Sequence, residues 1–265
     1  MENEESQNFI RKTFEKEFIA QTKLLEDTLK AMDHLEKATG FQKGIATYLG
    51  LSAYAMYLKG FNTFWATYIL CREGFGSEAL ITVRSLFNLL IDSLWIAKDG
   101  SGERAERYLA FDIVYRKQWV EVVKSYNPKL PSPPDYADIE KQYNLLKTKY
   151  KLTETRKDKW TGKTIRDRAV EVGKEKDYAV IYSYLSELEH SGASSLSRYV
   201  ESDGTTLKLK PGPSTSFIFM ALMLNYGNFY TLLKHIHNNF FKVSLPLDEY
   251  KKLFHDLYGV LPPEP

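Results

Sequence analysis

Residues 77–98 read SEALITVRSLFNLLIDSLWIAK, and this stretch decides the fold class. Its apolar side chains recur every three or four residues, which is the spacing of an α-helix. They form two stripes: one is Leu80, Val83, Phe87, Leu90 and Leu94, and the other is Ile81, Arg84, Asn88, Ile91 and Trp95. A helix with two apolar stripes is buried on two sides. The stretch therefore predicts a core helix.

The segments on both sides of this helix show the same spacing. They predict further helices near residues 6–38, 41–73, 103–126, 136–150, 165–173, 178–191, 214–240 and 247–258. The helix over 41–73 is apolar nearly all round and is predicted to be central. Asp203-Gly204 is a turn signal, and residues 205–209 alternate between polar and apolar. This pattern predicts a small hairpin or extended loop near residues 200–213.

Together these patterns predict an all-α fold, an irregular multi-helix bundle in one domain over residues 1–265. The expected parts are a long N-terminal helix over 1–38, a core over 41–200 and C-terminal helices over 214–258. Hydrophobic residues make up 43% of the 265-residue chain and charged residues 26%, which is typical of a globular protein.

The cysteine content and the polarity of the first residues predict a cytoplasmic location. Cys71 is the one cysteine, which excludes an intramolecular disulfide and fits a reducing compartment. The acidic, polar start of the chain does not resemble a secretory signal. The uncharged stretches 44–58 and 217–233 are shorter than the roughly 20 apolar residues that a membrane span needs, so no span is predicted.

Charge is distributed unevenly, although the net charge is only +2. Residues Lys147–Lys176 include eleven basic and five acidic residues. Such a stretch either binds RNA or another anionic ligand, or is simply a solvated basic surface. Both interpretations stay open from the sequence.

Arg84 is the first candidate for chemistry, because it lies on an apolar stripe. An unpaired buried guanidinium is very costly, so it must meet a carboxylate, several carbonyls or an anionic ligand. Asp92 lies two turns farther along the helix, too far for a simple pair. The sequence leaves a structural pairing and an anion contact as alternatives.

The second candidate is the run from Tyr178 to Gly192. Helical spacing places Tyr182, Ser186 and His190 along one side, with Ser183 and Glu187 adjacent. A histidine among hydroxyls and carboxylates is either a general acid or base, or a hydrogen-bonded structural residue. Glu187 and His190 have the Glu-x-x-His spacing of di-iron bundles, but no second such pair exists. Neither a metal nor a cofactor is predicted.

Arg84 and His190 are predicted to share one polar cluster, between the third helix and the helix over 178–191. Each is a polar residue on a helix suited to burial, and each lacks an adequate partner within its own helix. Tyr182, Tyr184 and Ser186 can supply hydroxyl groups to this cluster.

These two regions also carry a family resemblance. The residues that carry this resemblance form two groups. The first is Glu78-Ala79-Leu80 with Arg84-Ser85-Leu86-Phe87, and the second is Trp160, Ile165, Tyr178, Tyr182, Tyr184, Ser186 and His190-Ser191. Over roughly residues 44–198 the chain resembles the bacterial helical family called domain of unknown function 5677. That family often carries glutamate four residues after the arginine, whereas in this chain the corresponding position is Asn88. The predicted ligand-binding residues are Tyr182, Tyr184, Ser186, Glu187, Asn88 and Trp160.

A looser similarity links such helical proteins to the HEPN ribonuclease-like domains of phage-defence and toxin systems. Those domains carry arginine and histidine four to six residues apart on one helix. Here Arg84 and His190 can meet only across two helices, which weakens the nuclease hypothesis.

Three functions therefore remain in competition. The first is a binding or regulatory module of a bacterial defence or stress system, with a polar pocket around Arg84 and His190. The second is a metal-independent ribonuclease or toxin, in which His190 acts as acid and base and Arg84 stabilises phosphate charge. The third is a structural helical protein that acts as a homo-oligomer.

Overall fold

The computed structural model describes residues 2–129, 131, 133–152, 160–182, 185–186, 199–202, 206–209, 212–242 and 245–265. Its helices are α1 (Glu2–Thr13), α2 (Glu15–Lys37), α3 (Phe41–Ile45), α4 (Tyr48–Arg72), α5 (Gly76–Ala97), α6 (Glu103–Tyr126), α7 (Tyr136–Tyr150), α8 (Ile165–Glu171), α9 (Glu175–Asp177), α10 (Ile218–Asn239) and α11 (Leu247–Tyr258). A π-helical turn over Tyr178–Tyr182 follows α9. The all-α class is confirmed.

The predicted hairpin is also confirmed. Strand β1 (Val200–Ser202) pairs with β2 (Leu207–Leu209) in an antiparallel arrangement, with Glu201 opposite Lys208. Each strand has three residues. The hairpin is therefore a small appendage to the helical bundle.

The centre of the bundle consists of α4, α5 and α10, which pack against one another. Phe64 of α4 stacks on Phe229 of α10 with ring centroids 4.5 Å apart. Gly60 allows the close approach, because a Cβ atom there would lie 2.4 Å from a methyl group of Leu232. Burial of these apolar side chains is the main stabilising contribution in such a bundle.

A buried polar connection joins the N-terminal part of the chain to this centre. Gln21 of α2 donates to the Leu222 carbonyl at 2.9 Å. Asn225 donates to the Gln21 side-chain oxygen at 2.9 Å and to the Phe64 carbonyl at 3.1 Å. Gln21 and Asn225 are completely buried. These bonds pair the donors of both amide groups and fix α2 against α4 and α10.

The expectation of one long helix over residues 1–38 is wrong, because the helix bends at Phe14 between α1 and α2. Phe14 has φ −111° and ψ 29°, outside the helical region. The bend directs α1 toward the end of α4, where Gln7 and Arg11 donate to the Glu73 carboxylate at 2.7 and 2.8 Å. Tertiary contacts thus override a continuous amphipathic pattern.

The expected helix over residues 41–73 is likewise two helices, α3 and α4. Thr47 separates them, and its hydroxyl accepts from the Gly50 amide at 3.0 Å as the N-cap of α4. The same hydroxyl donates to the Gly44 carbonyl at 2.9 Å. Side-chain bonds of this kind compete with continuous helix.

The expectation that this helix is central is confirmed, but only one face of α4 is enclosed. Ala53, Phe61 and Phe64 are buried, whereas Trp65 and Ile69 are 44% and 48% exposed. An apolar helix face is thus left open to solvent in the single chain.

Candidate functional site

Helix α5 presents a polar face that consists of Arg84, Asn88 and Asp92. Residues four apart lie one above the other on a helix, so the three side chains share one side. Arg84 is buried, and Asn88 and Asp92 are half-buried. We call this surface the α5 polar face.

Arg84 lies against the predicted tyrosine segment. Its Nη2 donates to the Tyr182 hydroxyl at 2.5 Å. The guanidinium carbon also lies 4.2 Å from the centre of the Tyr182 ring, in a cation–π contact. Tyr182 in turn stacks on Tyr178, with centroids 4.6 Å apart. The structure thus brings together two of the residues that the sequence analysis singled out.

Three of the predicted site residues, Tyr184, Glu187 and His190, lie outside the described residues. Ser186 is described and half-buried, and Leu185 beside it is buried in the same apolar cluster as Leu80 and Val83 of α5. This cluster holds residues 185–186 near α5.

The other end of the α5 polar face carries an ion pair that the sequence analysis missed. Asp92 Oδ1 lies 2.8 Å from Arg168 Nε, and both side chains are nearly buried. Arg168 also donates to the Thr161 hydroxyl and the Lys163 carbonyl, each at 2.9 Å. Burial raises the pKa of Asp92 to about 6, against the opposing effect of Arg168.

Trp160 packs beside this ion pair. Its ring meets Trp95 and Tyr108 edge to face, with centroid distances of 5.5 and 5.0 Å. Arg168 lies 5.6 Å from the Trp160 centroid. Trp160 is 9% exposed, so most of its surface contributes to packing.

A cavity of about 310 Å³ opens next to these rings. It lies where the end of α5, the start of α6 and residues 160–161 meet. Its lining residues are Trp95, Asp99, Glu103, Arg104, Arg107, Trp160 and Thr161. We call it the tryptophan cavity.

Two of the charged groups in the tryptophan cavity already have structural partners. The Asp99 carboxylate accepts from the Arg104 amide at 2.9 Å, which lowers the pKa of Asp99. The Arg104 guanidinium lies 3.8 Å from the Trp95 centroid and donates to the Trp95 carbonyl at 2.7 Å. Trp95 itself donates from Nε1 to Glu171 at 2.6 Å. These contacts fix one wall of the cavity.

Arg107 is different, because it makes no hydrogen bond or ion pair with any residue in the described part of the chain. Its guanidinium carbon lies 5.4 Å from the Phe111 centroid and 5.2 Å from the Tyr150 centroid. Its Nε atom is buried and has no hydrogen-bond partner within the described ranges. The sequence offers no signal for this residue, since Arg107 follows the ordinary charge pattern of α6.

The basic stretch Lys147–Lys176 is partly neutralised inside the fold. Four of its described cations form ion pairs, namely Lys149 with Glu106, Lys163 with Glu171, Arg168 with Asp92, and Lys174 with Asp177. Of its other described cations, Lys151, Arg166 and Lys176 form no ion pair with a described residue. The surface that remains for an anionic partner is therefore smaller than the sequence suggests.

Comparison with known families assigns the central part of the chain. A family model described as a family of unknown function (DUF5677) matches residues 51–206. The chain belongs to this family. The DUF5677 match includes nearly all of α4 and the whole of α5, and therefore the complete α5 polar face. No curated protein and no solved structure matches the chain.

The DUF5677 region also contains one helix that could cross a membrane by length and composition. Among the described residues this is α5, and 67% of its most apolar 18-residue window is buried inside the protein.

Proposed function

We propose that this DUF5677 protein is a binding module that takes a small anionic ligand in the tryptophan cavity. The observation that carries the proposal is Arg107, a guanidinium with no anionic partner among the described residues, at the wall of a cavity. Guanidinium groups bind carboxylate and phosphate through paired N–H donors.

The cavity favours a small ligand with a single anionic group. Its volume of about 310 Å³ is at the lower end of ligand-binding pockets. Glu103 is exposed at the start of α6 and lines the same cavity, so its carboxylate repels additional negative charge. Trp95 and Trp160 supply apolar surface for the rest of the ligand.

One end of the α5 polar face positions residues that line this cavity. The Asp92–Arg168 ion pair fixes residues 160–168, and Trp160 rests against Arg168. Arg84 and Tyr182 fix the segment that follows α9. In this proposal, Arg168 holds Trp160 and Thr161 in place, and Arg107 contacts the ligand.

Titration of the purified protein with acetate, benzoate and inorganic phosphate, followed by tryptophan fluorescence and calorimetry, tests the proposal. We expect a monoanion to bind and to change the emission of the cavity tryptophans. Arg107→Gln should weaken binding at least about tenfold, since a charge-assisted bond is worth about 1.5–3 kcal/mol. Glu103→Gln should strengthen it.

Arg116→Gln is the matched control, because Arg116 is a half-exposed arginine of the same helix that pairs with Asp135. It should bind like the wild type. Equal affinity of the Arg107 and Arg116 variants would refute the cavity site. Binding of labelled RNA in the absence of metal is measured separately. RNA binding that falls steeply with salt and is unchanged by Arg107→Gln would assign the anion contact to the basic stretch and not to the cavity.

A further inference from the structure

The outer face of α4 carries a regular stripe of side chains. Its members alternate three and four residues apart: Tyr48, Leu51, Ala55, Leu58, Asn62, Trp65 and Ile69. We call this stripe the α4 seam. The five large apolar members are 37% to 55% exposed, Asn62 is exposed and Ala55 is half-buried.

This exposure is unusual because the opposite face of α4 is already in the core. Met56, Phe64 and Cys71 on that side are at most 1% exposed. A helix that is apolar all round is normally enclosed on all sides. Contiguous exposed apolar surface on a folded protein marks an interaction site.

The spacing of the seam is that of a two-helix contact. Alternation of three and four over residues 48–69 is three heptads with the seam residues at a and d, and it spans about 32 Å of helix. Asn62 occupies an a position. One polar asparagine at such a position fixes the register and the number of helices, at a cost in stability.

The area of the seam matches the requirement of a stable dimer. With about 200 Å² for a fully exposed large side chain, the five apolar members leave about 450 Å² uncovered per chain. Two copies would bury about 900 Å² of apolar surface, which at about 60% apolar content corresponds to about 1,500 Å² in total. Specific interfaces bury about 1,600 Å².

We propose that the α4 seam is the interface between two copies of this chain. A two-fold contact uses the same surface on both copies, which a heptad stripe provides. A membrane surface is the poorer match, because membrane-bound amphipathic helices carry many basic residues beside the apolar face. Lys59 is the one charged residue of α4 from Tyr48 to Ile69. The proposal is independent of ligand binding in the tryptophan cavity.

Sedimentation equilibrium of the full chain tests the interface. We expect a species of twice 30.7 kDa at micromolar concentration. Trp65→Glu and Leu58→Glu each place a charge in the seam and should raise the dimer dissociation constant at least about 100-fold. Both positions are partly exposed in the single chain, so circular dichroism and thermal melting should show an intact fold.

Trp119→Glu is the matched control, because Trp119 is 64% exposed on α6 and does not belong to the seam. It should remain dimeric. A wild-type chain that is monomeric at 100 µM, or that binds anionic lipid vesicles as a monomer, would overturn the proposal. So would a dimer that Trp119→Glu dissociates and Trp65→Glu does not.

Discussion

Two arginines lie at opposite ends of the α5 polar face, Arg84 on α5 itself and Arg168 on α8, and each lies near an aromatic ring. Arg84 is 4.2 Å from the Tyr182 centroid, and Arg168 is 5.6 Å from the Trp160 centroid. A buried guanidinium is tolerated only where other groups replace its lost hydration. Hydroxyl, ring and carboxylate contacts do so here. Both arginines therefore attach segments that follow α7 to the central helix.

The sequence placed Arg84 and Tyr182 in one predicted polar cluster, and it gave no sign of the Asp92–Arg168 pair. Arg84 stands out as a charge within an apolar stripe, and Tyr182 was expected to supply a hydroxyl to a cluster of Arg84 and His190. Asp92 and Arg168 each fit an ordinary amphipathic pattern. Their pairing depends on how α8 crosses α5, which is tertiary information that spacing along one helix does not contain.

Asp92 should give the protein a pH-dependent stability that is opposite to that of most carboxylates. Its folded pKa of about 6 is above the ordinary value of 3.8. As the pH rises from 4 to 6, the unfolded chain loses this proton before the folded chain does, which favours unfolding. Relative to Asp92→Asn, the wild type should therefore lose up to about 3 kcal/mol of unfolding free energy between pH 4 and 7.

Urea unfolding of both proteins at a series of pH values measures this difference. Several other carboxyl groups, including Asp27 and Glu264, have lowered pKa values because lysines bond to them. Their contributions are present in both proteins and cancel in the comparison. Parallel stability curves for wild type and Asp92→Asn would contradict the predicted pKa shift.

At the scale of elements, periodicity located the helices but not their ends. The helical spacing of residues 77–98 predicted α5 to within a residue of its bounds Gly76–Ala97. The breaks at Phe14 and Thr47 were not predicted. At Phe14 the tertiary contact of α1 with Glu73 accompanies the break, and at Thr47 the side-chain hydroxyl bonds to the Gly44 carbonyl of α3. The local apolar pattern continues through both positions.

The start of α5 depends on a glycine that contacts the start of α10. A Cβ atom at Gly76 would lie 2.3 Å from the Ser216 carbonyl oxygen and 2.7 Å from the Ile218 amide nitrogen. Both are backbone atoms, so the two helices would have to separate. Gly76→Ala should therefore lower the free energy of unfolding by about 2–3 kcal/mol, measured by urea unfolding.

Gly100→Ala is the comparison for this variant. Gly100 lies in the turn after α5, where an added Cβ atom would meet nothing within 4 Å. The substitution reduces the freedom of the unfolded chain and should stabilise the protein by about 0.4–1 kcal/mol. Equal effects of the two substitutions would show that the contact between α5 and α10 does not limit stability.

At the scale of the whole molecule, the family match and the core do not coincide. The matched residues 51–206 include most of α4 and all of α5, but α10 lies outside them. Helix α10 packs on both α4 and α5, and its Tyr226, Phe229 and Leu232 are completely buried. The region that the family model matches thus includes only part of the central layer of this chain.

A chain reduced to residues 51–206 should consequently fail to fold cooperatively. Without α10, the buried faces of α4 and α5 around Phe64 and Leu86 would be exposed to water, and uncovered apolar surface of this extent favours aggregation. The fragment also lacks both Gln21 and Asn225, so the buried polar connection to Phe64 is lost. We expect a broad, non-cooperative thermal transition by circular dichroism and association in sedimentation. The full chain, measured alongside, should show one sharp transition. A monomeric 51–206 fragment with a cooperative transition would show instead that the family region is an independent folding unit and that α10 only covers it.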